Sequence, residues 1–135
     1  MIYIFSAFYA EAKNIIDHYG LKKEKSPEMV RFDVFANESI RLVITGVGEI
    51  NAAAAVSNIG GAYGISQDDE ILNVGCGAGF SSDICMGSIF LGNKLTEQMT
   101  GRTFYPDMLM KANFRECEIC LLYTSPSPRD GLLSR

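Results

Sequence analysis

The 135-residue sequence predicts an α/β fold with a largely parallel core. Three observations carry that reading. The runs Ile2-Tyr3-Ile4-Phe5 and Ile71-Leu72-Asn73-Val74 are apolar without alternation, the pattern of strands buried on both faces. Stretches of helical period stand between the strands, so the layers alternate along the chain. Two glycine-rich turns, Gly46-Val47-Gly48 and Gly75 to Gly79, follow directly where strands end.

The elements follow in order. After the first strand, Phe8, Ala12, Ile15, Ile16 and Tyr19 share one helical face, with Ser6 as a candidate cap and Gly20 as the stop. Leu21 to Glu28 holds three lysines, two glutamates and a proline, which reads as a solvated loop. Val30, Phe32, Val34 and Ala36 alternate with Arg31 and Asp33, Asn37-Glu38 turns the chain, and Ile40 to Thr45 returns, which predicts a hairpin. An alanine-rich helix over 52–63 follows, with Ala52, Ala55, Val56, Ile59 and Tyr63 toward the sheet. Gly60-Gly61 weakens its last turn by about 1 kcal/mol per glycine relative to alanine. Gly87 to Lys94 reads as a further strand.

Composition narrows the function. Apolar residues at 47% and charged residues at 21% argue against a disordered chain, and the length suits one compact domain. Twelve basic against 16 acidic residues leave a net charge of -4, without the basic surplus of a nucleic-acid binder. No apolar run reaches the roughly 18 residues of a membrane span, and residues 1–10 lack a basic leader region. The expectation is a soluble cytoplasmic chain with no membrane partner. In that setting Cys76, Cys85, Cys117 and Cys120 are not expected to form disulfides. Cys117-Glu118-Ile119-Cys120 lacks a second ligand pair, and the one histidine, His18, is remote, so no metal site is expected.

Three features bear on chemistry. Gly46-Val47-Gly48 opens a helix, so it is either an anion- or ribose-facing turn or simply a tight strand-to-helix turn. Gly75 to Gly79 either lets a ligand lie against bare backbone or is a crowded strand exit. Glu11 sits on the flank of the first helix's apolar face, just past the first strand. Partial desolvation there suits acid–base work, and the alternative is an ordinary first-turn acid favoured by the helix dipole. His18 reads as a surface residue, and Asp68-Asp69-Glu70 as a solvated loop.

Ser6-Ala7-Phe8-Tyr9-Ala10-Glu11-Ala12, Thr45 to Ala54, Asn73 to Gly79 and Gly87 to Leu91, in that order, resemble the nucleoside phosphorylase/nucleosidase family. The resemblance is to its methylthioadenosine/S-adenosylhomocysteine nucleosidase branch. Thr100 to Asp107 is similar to a firmicute-like subgroup, and the resemblance spans residues 1–119. It implies a three-layer α/β/α, phosphorylase/hydrolase-like fold, a homodimer at full length, and hydrolysis of the N-glycosidic bond of adenine thionucleosides without a cofactor. That activity belongs to purine and methionine salvage. By position, Glu11 matches the glutamate that activates water. Ala7 and Phe8 match the turn beside base and sugar, and Val47 a residue against the ribose. Cys76, Gly77 and Ala78 match the loop lining the nucleoside. Phe104, with Tyr105 and Pro106, falls near a loop that reaches toward the partner subunit's site.

Two departures stand out. Cys76 replaces the usual hydroxyl residue. By the resemblance the domain is also expected to be truncated, since the family's later Met-Glu segment that grips the ribose hydroxyls and its aspartate that protonates the purine are not matched in this sequence. Activity of the chain by itself is therefore not expected. The rival readings are nucleoside phosphorolysis, for which Ser6 to Glu11 offers no arginine, and a non-catalytic nucleotide-binding half-domain. Residues 120–135 are expected to be a non-native, disordered tail, because Leu121 to Asp130 resembles translated adapter read-through and has no periodicity.

Overall fold

A computed structural model describes residues 1–79, 81–108 and 113–122. The chain divides into two compact units, Met1–Ala78 and Gly79–Arg135, where its length suggested one domain.

The first unit is a five-stranded sheet between two helices. Its elements are β1 (Ile2–Ser6), α1 (Tyr9–His18), β2 (Lys22–Lys23), β3 (Asp33–Ala36), β4 (Ile40–Ile44), α2 (Glu49–Tyr63) and β5 (Glu70–Asn73). The strand order is β2-β3-β4-β1-β5, with β4, β1 and β5 mutually parallel and β2 and β3 antiparallel. Successive side chains along a strand point to opposite faces. Tyr3 and Phe5 therefore join Val34, Val43, Ala55 and Ile59 on the α2 side. Ile4 joins Leu42, Ile40, Ala12, Ile16 and Leu21 on the α1 side. These are the three layers of the predicted sandwich.

Local departures have physical causes. The 30–36 strand begins only at Asp33. Asn58 on α2 donates to the carbonyl of Met29 at 2.9 Å and accepts the Arg31 N–H at 3.2 Å, so that backbone is held by the helix. The expected loop after α1 contains β2, paired to β3 through Lys22–Ala36 and Lys23–Phe35. Helix α2 starts three residues early, at Glu49, because Gly48 at φ +97° is its cap. It runs through Gly60-Gly61 and ends at Gly64, φ +68°. Of its expected inner face, Ala55 and Ile59 are buried and Tyr63 half-buried, while Ala52 and Val56 are exposed. The expectation that β5 is covered on both faces fails. Leu72 packs on the α1 side, but Ile71 is 51% exposed, because β5 is the outermost strand of this sheet.

At the start of the parallel strands, the Arg41 guanidinium lies 3.9 Å from the centre of the Tyr63 ring. It donates to Glu24 at 3.1 and 3.4 Å and to the Tyr3 hydroxyl at 3.3 Å. Burial opposes the charge, but the hydrogen bonds and charge of Glu24 outweigh it, and the Arg41 pKa is raised. This cluster ties β4, β1 and the end of α2 together, leaving the opposite ends of the strands for the site.

Asp69 is not the freely solvated acid its sequence setting suggests. It accepts from the N–H of Ser66 at 2.8 Å and from its hydroxyl at 3.0 Å, and it pairs with the Met1 amino terminus at 2.9 Å. The Ser66 N–H first, and then the amino terminus, hold its pKa down at about 2 against an ordinary 3.8. The folded-state value is depressed, so this group's contribution to stability is present above about pH 4 and is lost as pH falls through 2. A carboxyl-carbon NMR titration should place the Asp69 midpoint near 2, and Ser66→Ala should move it upward. A midpoint near 3.8 in the unsubstituted chain would refute the clamp.

The second unit holds β6 (Phe90–Glu97), β7 (Thr103–Phe104) and β8 (Arg115–Leu121) in the order β7-β6-β8. β6 pairs antiparallel with β7 and parallel with β8, with an irregularity between Gly92 and Lys94. The strand expected over 87–94 is thus displaced toward the C-terminus. Pairing fixes it there, through Phe90–Arg115, Lys94–Glu118 and Glu97–Leu121. A Cβ at Gly92 would collide with Ile119, which is why a glycine serves at that bulge. Strand β8 was not anticipated, and the expected boundary between 119 and 120 falls inside it. Residues 123–135, the rest of the expected tail, lie outside the described residues. Cys117 and Cys120 are three apart on β8 and so point to opposite faces. Among the described residues, no helix is long and apolar enough to cross a membrane.

Candidate functional site

The three parallel strands of the first unit end together. Thr45 N–H donates to the Ser6 carbonyl at 2.9 Å, Gly46 N–H to Ala7 at 3.2 Å, and Val74 N–H to Phe5 at 2.9 Å. The loops after β1, β4 and β5 therefore leave one edge of the sheet side by side. In open α/β sheets that carboxyl edge is where ligands bind. Both glycine-rich turns and the first turn of α1 lie on it.

Glu11 is the charged group that joins the turns at this edge. Its Oε1 accepts the Cys76 N–H at 3.0 Å. Its Oε2 accepts the Phe8 N–H at 3.3 Å and the Ser6 hydroxyl at 3.4 Å. A carboxylate is an acceptor with no donor of its own, so three donors converging on it are matched in kind. Gly75 lies against the same group, since a Cβ built on it would stand 3.8 Å from both carboxylate oxygens. The side chain thus bridges the β1–α1 turn and the β5 loop, 65 residues apart in the chain.

The cap of α1 is Phe8, not Ser6. Phe8 has no side-chain acceptor, so only the returning half of a capping box exists, with Glu11 taking the Phe8 N–H. Ser6, wholly buried as the last residue of β1, is released from capping and serves Glu11 instead. Its carbonyl also accepts from the Thr45 hydroxyl at 3.4 Å. The readable signal for Ser6 was a single polar residue closing a four-residue apolar run. A buried hydroxyl without a partner costs about 1–3 kcal/mol, so such a residue implies an acceptor nearby.

The other expected residues surround this centre. Ala7 is half-buried, Phe8 is 53% exposed, and Cys76, Gly77 and Ala78 line the exposed turn that begins at the Glu11 clamp. Val47 is 60% exposed. It is turned outward between Gly46 at φ +80° and Gly48 at φ +97°, conformations that side-chain-bearing residues adopt only with strain. The Asn51 amide donates to the Val47 carbonyl at 2.7 Å and fixes that turn. Hydrogen bonds therefore gather Glu11, Phe8 and Cys76 directly, and bring Val47 to Ala7 through Gly46. Phe104 is exposed on β7, in the second unit. His18 is exposed at the end of α1 with its ring against Tyr19. Among the described residues no group of three or more His, Cys, Asp or Glu could hold a metal ion.

Chemically, the edge offers an anchored carboxylate able to accept a proton, bordered by exposed apolar side chains and bare backbone. No protein-family profile matches the sequence, and no curated protein matches it. Solved structures do share its fold. The 5'-methylthioadenosine/S-adenosylhomocysteine nucleosidase of Neisseria meningitidis, in complex with methylthio-immucillin-A, aligns with a TM-score of 0.69 at 15% identity, covering 88% of this chain and 63% of that one. A futalosine hydrolase mutant of Helicobacter pylori aligns with a TM-score of 0.71 at 12% identity, covering 98% and 73%. The S-adenosylhomocysteine nucleosidase of Streptococcus pyogenes, in complex with 5-methylthiotubericidin, gives 0.67 at 17%, covering 88% and 61%. The chain spans less than two thirds of the length of the Neisseria and Streptococcus enzymes. The fold is the phosphorylase/hydrolase-like α/β fold of these enzymes.

Proposed function

We propose that this chain, with the fold of those hydrolases, carries the water-activating half of a nucleosidase site for adenine thionucleosides. Glu11 is the general base. It takes a proton from water as the water oxygen bonds to the anomeric carbon, and the bond from that carbon to the adenine nitrogen breaks with its electron pair leaving on the base. Ala7 and Phe8 lie beside base and sugar, Val47 against the ribose, and Cys76, Gly77 and Ala78 along the nucleoside. Phe104 reaches the site of a partner subunit in a homodimer. The observation that supports this reading is the meeting of Glu11 with the turns after β1 and β5 at the carboxyl edge of the sheet.

The departing base must also gain a proton, and the positive charge growing on the sugar must be balanced. The resemblance assigns neither task to any residue of this sequence. We therefore expect the 135-residue chain to bind methylthioadenosine without releasing adenine. Calorimetry with methylthioadenosine, and chromatography for adenine and free sugar, test this. Saturable binding with no adenine is the expected result, and clear adenine release by these 135 residues would refute the division of labour. A form that does turn over should yield free sugar, whereas ribose 1-phosphate would favour phosphorolysis. The second reading, a non-catalytic nucleotide binder, draws on the fact that both Glu11 oxygens are already occupied by protein donors. For a binder, Glu11→Gln would leave affinity intact, whereas a hydrolase would lose turnover.

A further inference from the structure

We propose that Ser6 is a positioning residue that holds the Glu11 carboxylate in the orientation in which it also binds the Cys76 amide. The proposal rests on the reading of Glu11 as the water-activating group and adds the part of the chain that fixes its geometry. A glutamate in the first turn of a helix, next to open solvent, has three side-chain torsions with which to swing away. Here Oε2 is tethered at two points and Oε1 at one. The Phe8 and Cys76 tethers are backbone N–H groups, so Ser6 supplies the only side chain of the three.

Its setting suits that task. Ser6 is 0% exposed and closes a strand whose preceding residues are apolar. Its carbonyl is engaged by the N–H of Thr45 at 2.9 Å, while the Thr45 hydroxyl makes its shorter contact, 2.8 Å, with the Gly46 carbonyl. The strand end is thus anchored to β4 through its backbone, while the hydroxyl reaches Glu11 at 3.4 Å. A hydroxyl fixed to the sheet gives the carboxylate a reference point on the rigid layer rather than on the exposed loop. Alanine at this position would keep the strand and lose only that reference.

The test reads the Cys76 amide in the 135-residue chain by NMR hydrogen exchange, so it does not depend on turnover. Ser6→Ala should speed exchange at Cys76 by about tenfold, while the Leu42 and Val43 amides in β4 hold their rates. Ser6→Thr, which keeps the hydroxyl, should restore protection. In a Glu11→Ala background, which removes the acceptor through which both residues act, Ser6→Ala should add nothing. Unchanged exchange at Cys76 would overturn the proposal. So would an equal acceleration in the Glu11→Ala background, a failure of threonine to restore protection, or acceleration at Leu42 and Val43 in step with Cys76, the mark of a purely structural serine. Failure of the nucleosidase reading shows separately, as methylthioadenosine producing no shift in the Cys76 resonance of the unsubstituted chain.

Discussion

In a form of the protein that releases adenine, Glu11→Gln is expected to lower the rate by on the order of a hundredfold or more, the usual contribution of a general base. Thionucleoside affinity is expected to survive. Glutamine preserves shape and length, and its one carbonyl oxygen can still accept the Cys76 N–H. Its amide nitrogen then faces the Phe8 N–H and the Ser6 hydroxyl. The hydroxyl can rotate to accept, but the Phe8 N–H cannot, so one donor of the turn is left to water. That cost is local and falls on an exposed backbone group. The rate loss has a different origin, because a carboxamide cannot take a proton from water. Binding titrations and initial rates on the same preparations separate the two effects. An unchanged rate would reduce Glu11 to a helix-start acid. A parallel loss of affinity and rate would point to the carboxylate as a structural strut of the Cys76 turn.

Part of this arrangement was legible in the sequence. β1 and α1 showed themselves by unbroken apolar character and a 3.6-residue period, and Gly20, at φ +61°, ends α1 as expected. The hairpin of β3 and β4 followed from alternation before Asn37-Glu38 and an apolar strand returning after it. Alternation misled at Val30 and Phe32, whose side chains do pack inward, because Asn58 holds the adjoining backbone out of the ladder. Tertiary contact overrides a strand pattern in that way. In β8, Glu116 and Glu118 alternate with Cys117 and Ile119, a strand signal masked by the spacing of the two cysteines. Its parallel pairing with β6 also sets where β6 lies, which no local pattern could supply. For the site, Glu11 and the two turns were readable one by one. The contact joining Glu11 to Cys76 spans 65 residues and exists only once β1 and β5 are paired.

The largest expected loss of stability comes from Leu42→Ala. Leu42 is 0% exposed on β4, which has strands on both sides, opposite Ile4 of β1 and Phe35 of β3. It faces the α1 layer, where Ala12 and Ile16 are its buried companions. Truncating a buried leucine loses the transfer energy of the removed carbons and leaves a cavity, together about 2–5 kcal/mol. This site belongs toward the upper end, because β-sheet pairing holds both flanking strands and Ala12 offers only a methyl group to move into the space. Native domains hold only about 5–15 kcal/mol in total, so one such change consumes a large fraction. Ile71→Ala on the outer strand should cost far less, since Ile71 is already 51% exposed. Urea unfolding followed by circular dichroism measures both, with the midpoint expected to fall and the slope to hold. Leu42→Met, which conserves volume, should lose less than about 1.5 kcal/mol. The effect should also reach the site. Ala12 is the next residue after Glu11, and α1 can settle only by moving toward the emptied space. A displacement of about 1 Å suffices to spoil a catalytic geometry. Cys76 amide protection should therefore weaken in Leu42→Ala even where the chain remains folded. A loss below about 1 kcal/mol would mean that the α1 layer closes over the gap, contradicting the tight three-layer packing on which the Glu11 clamp depends.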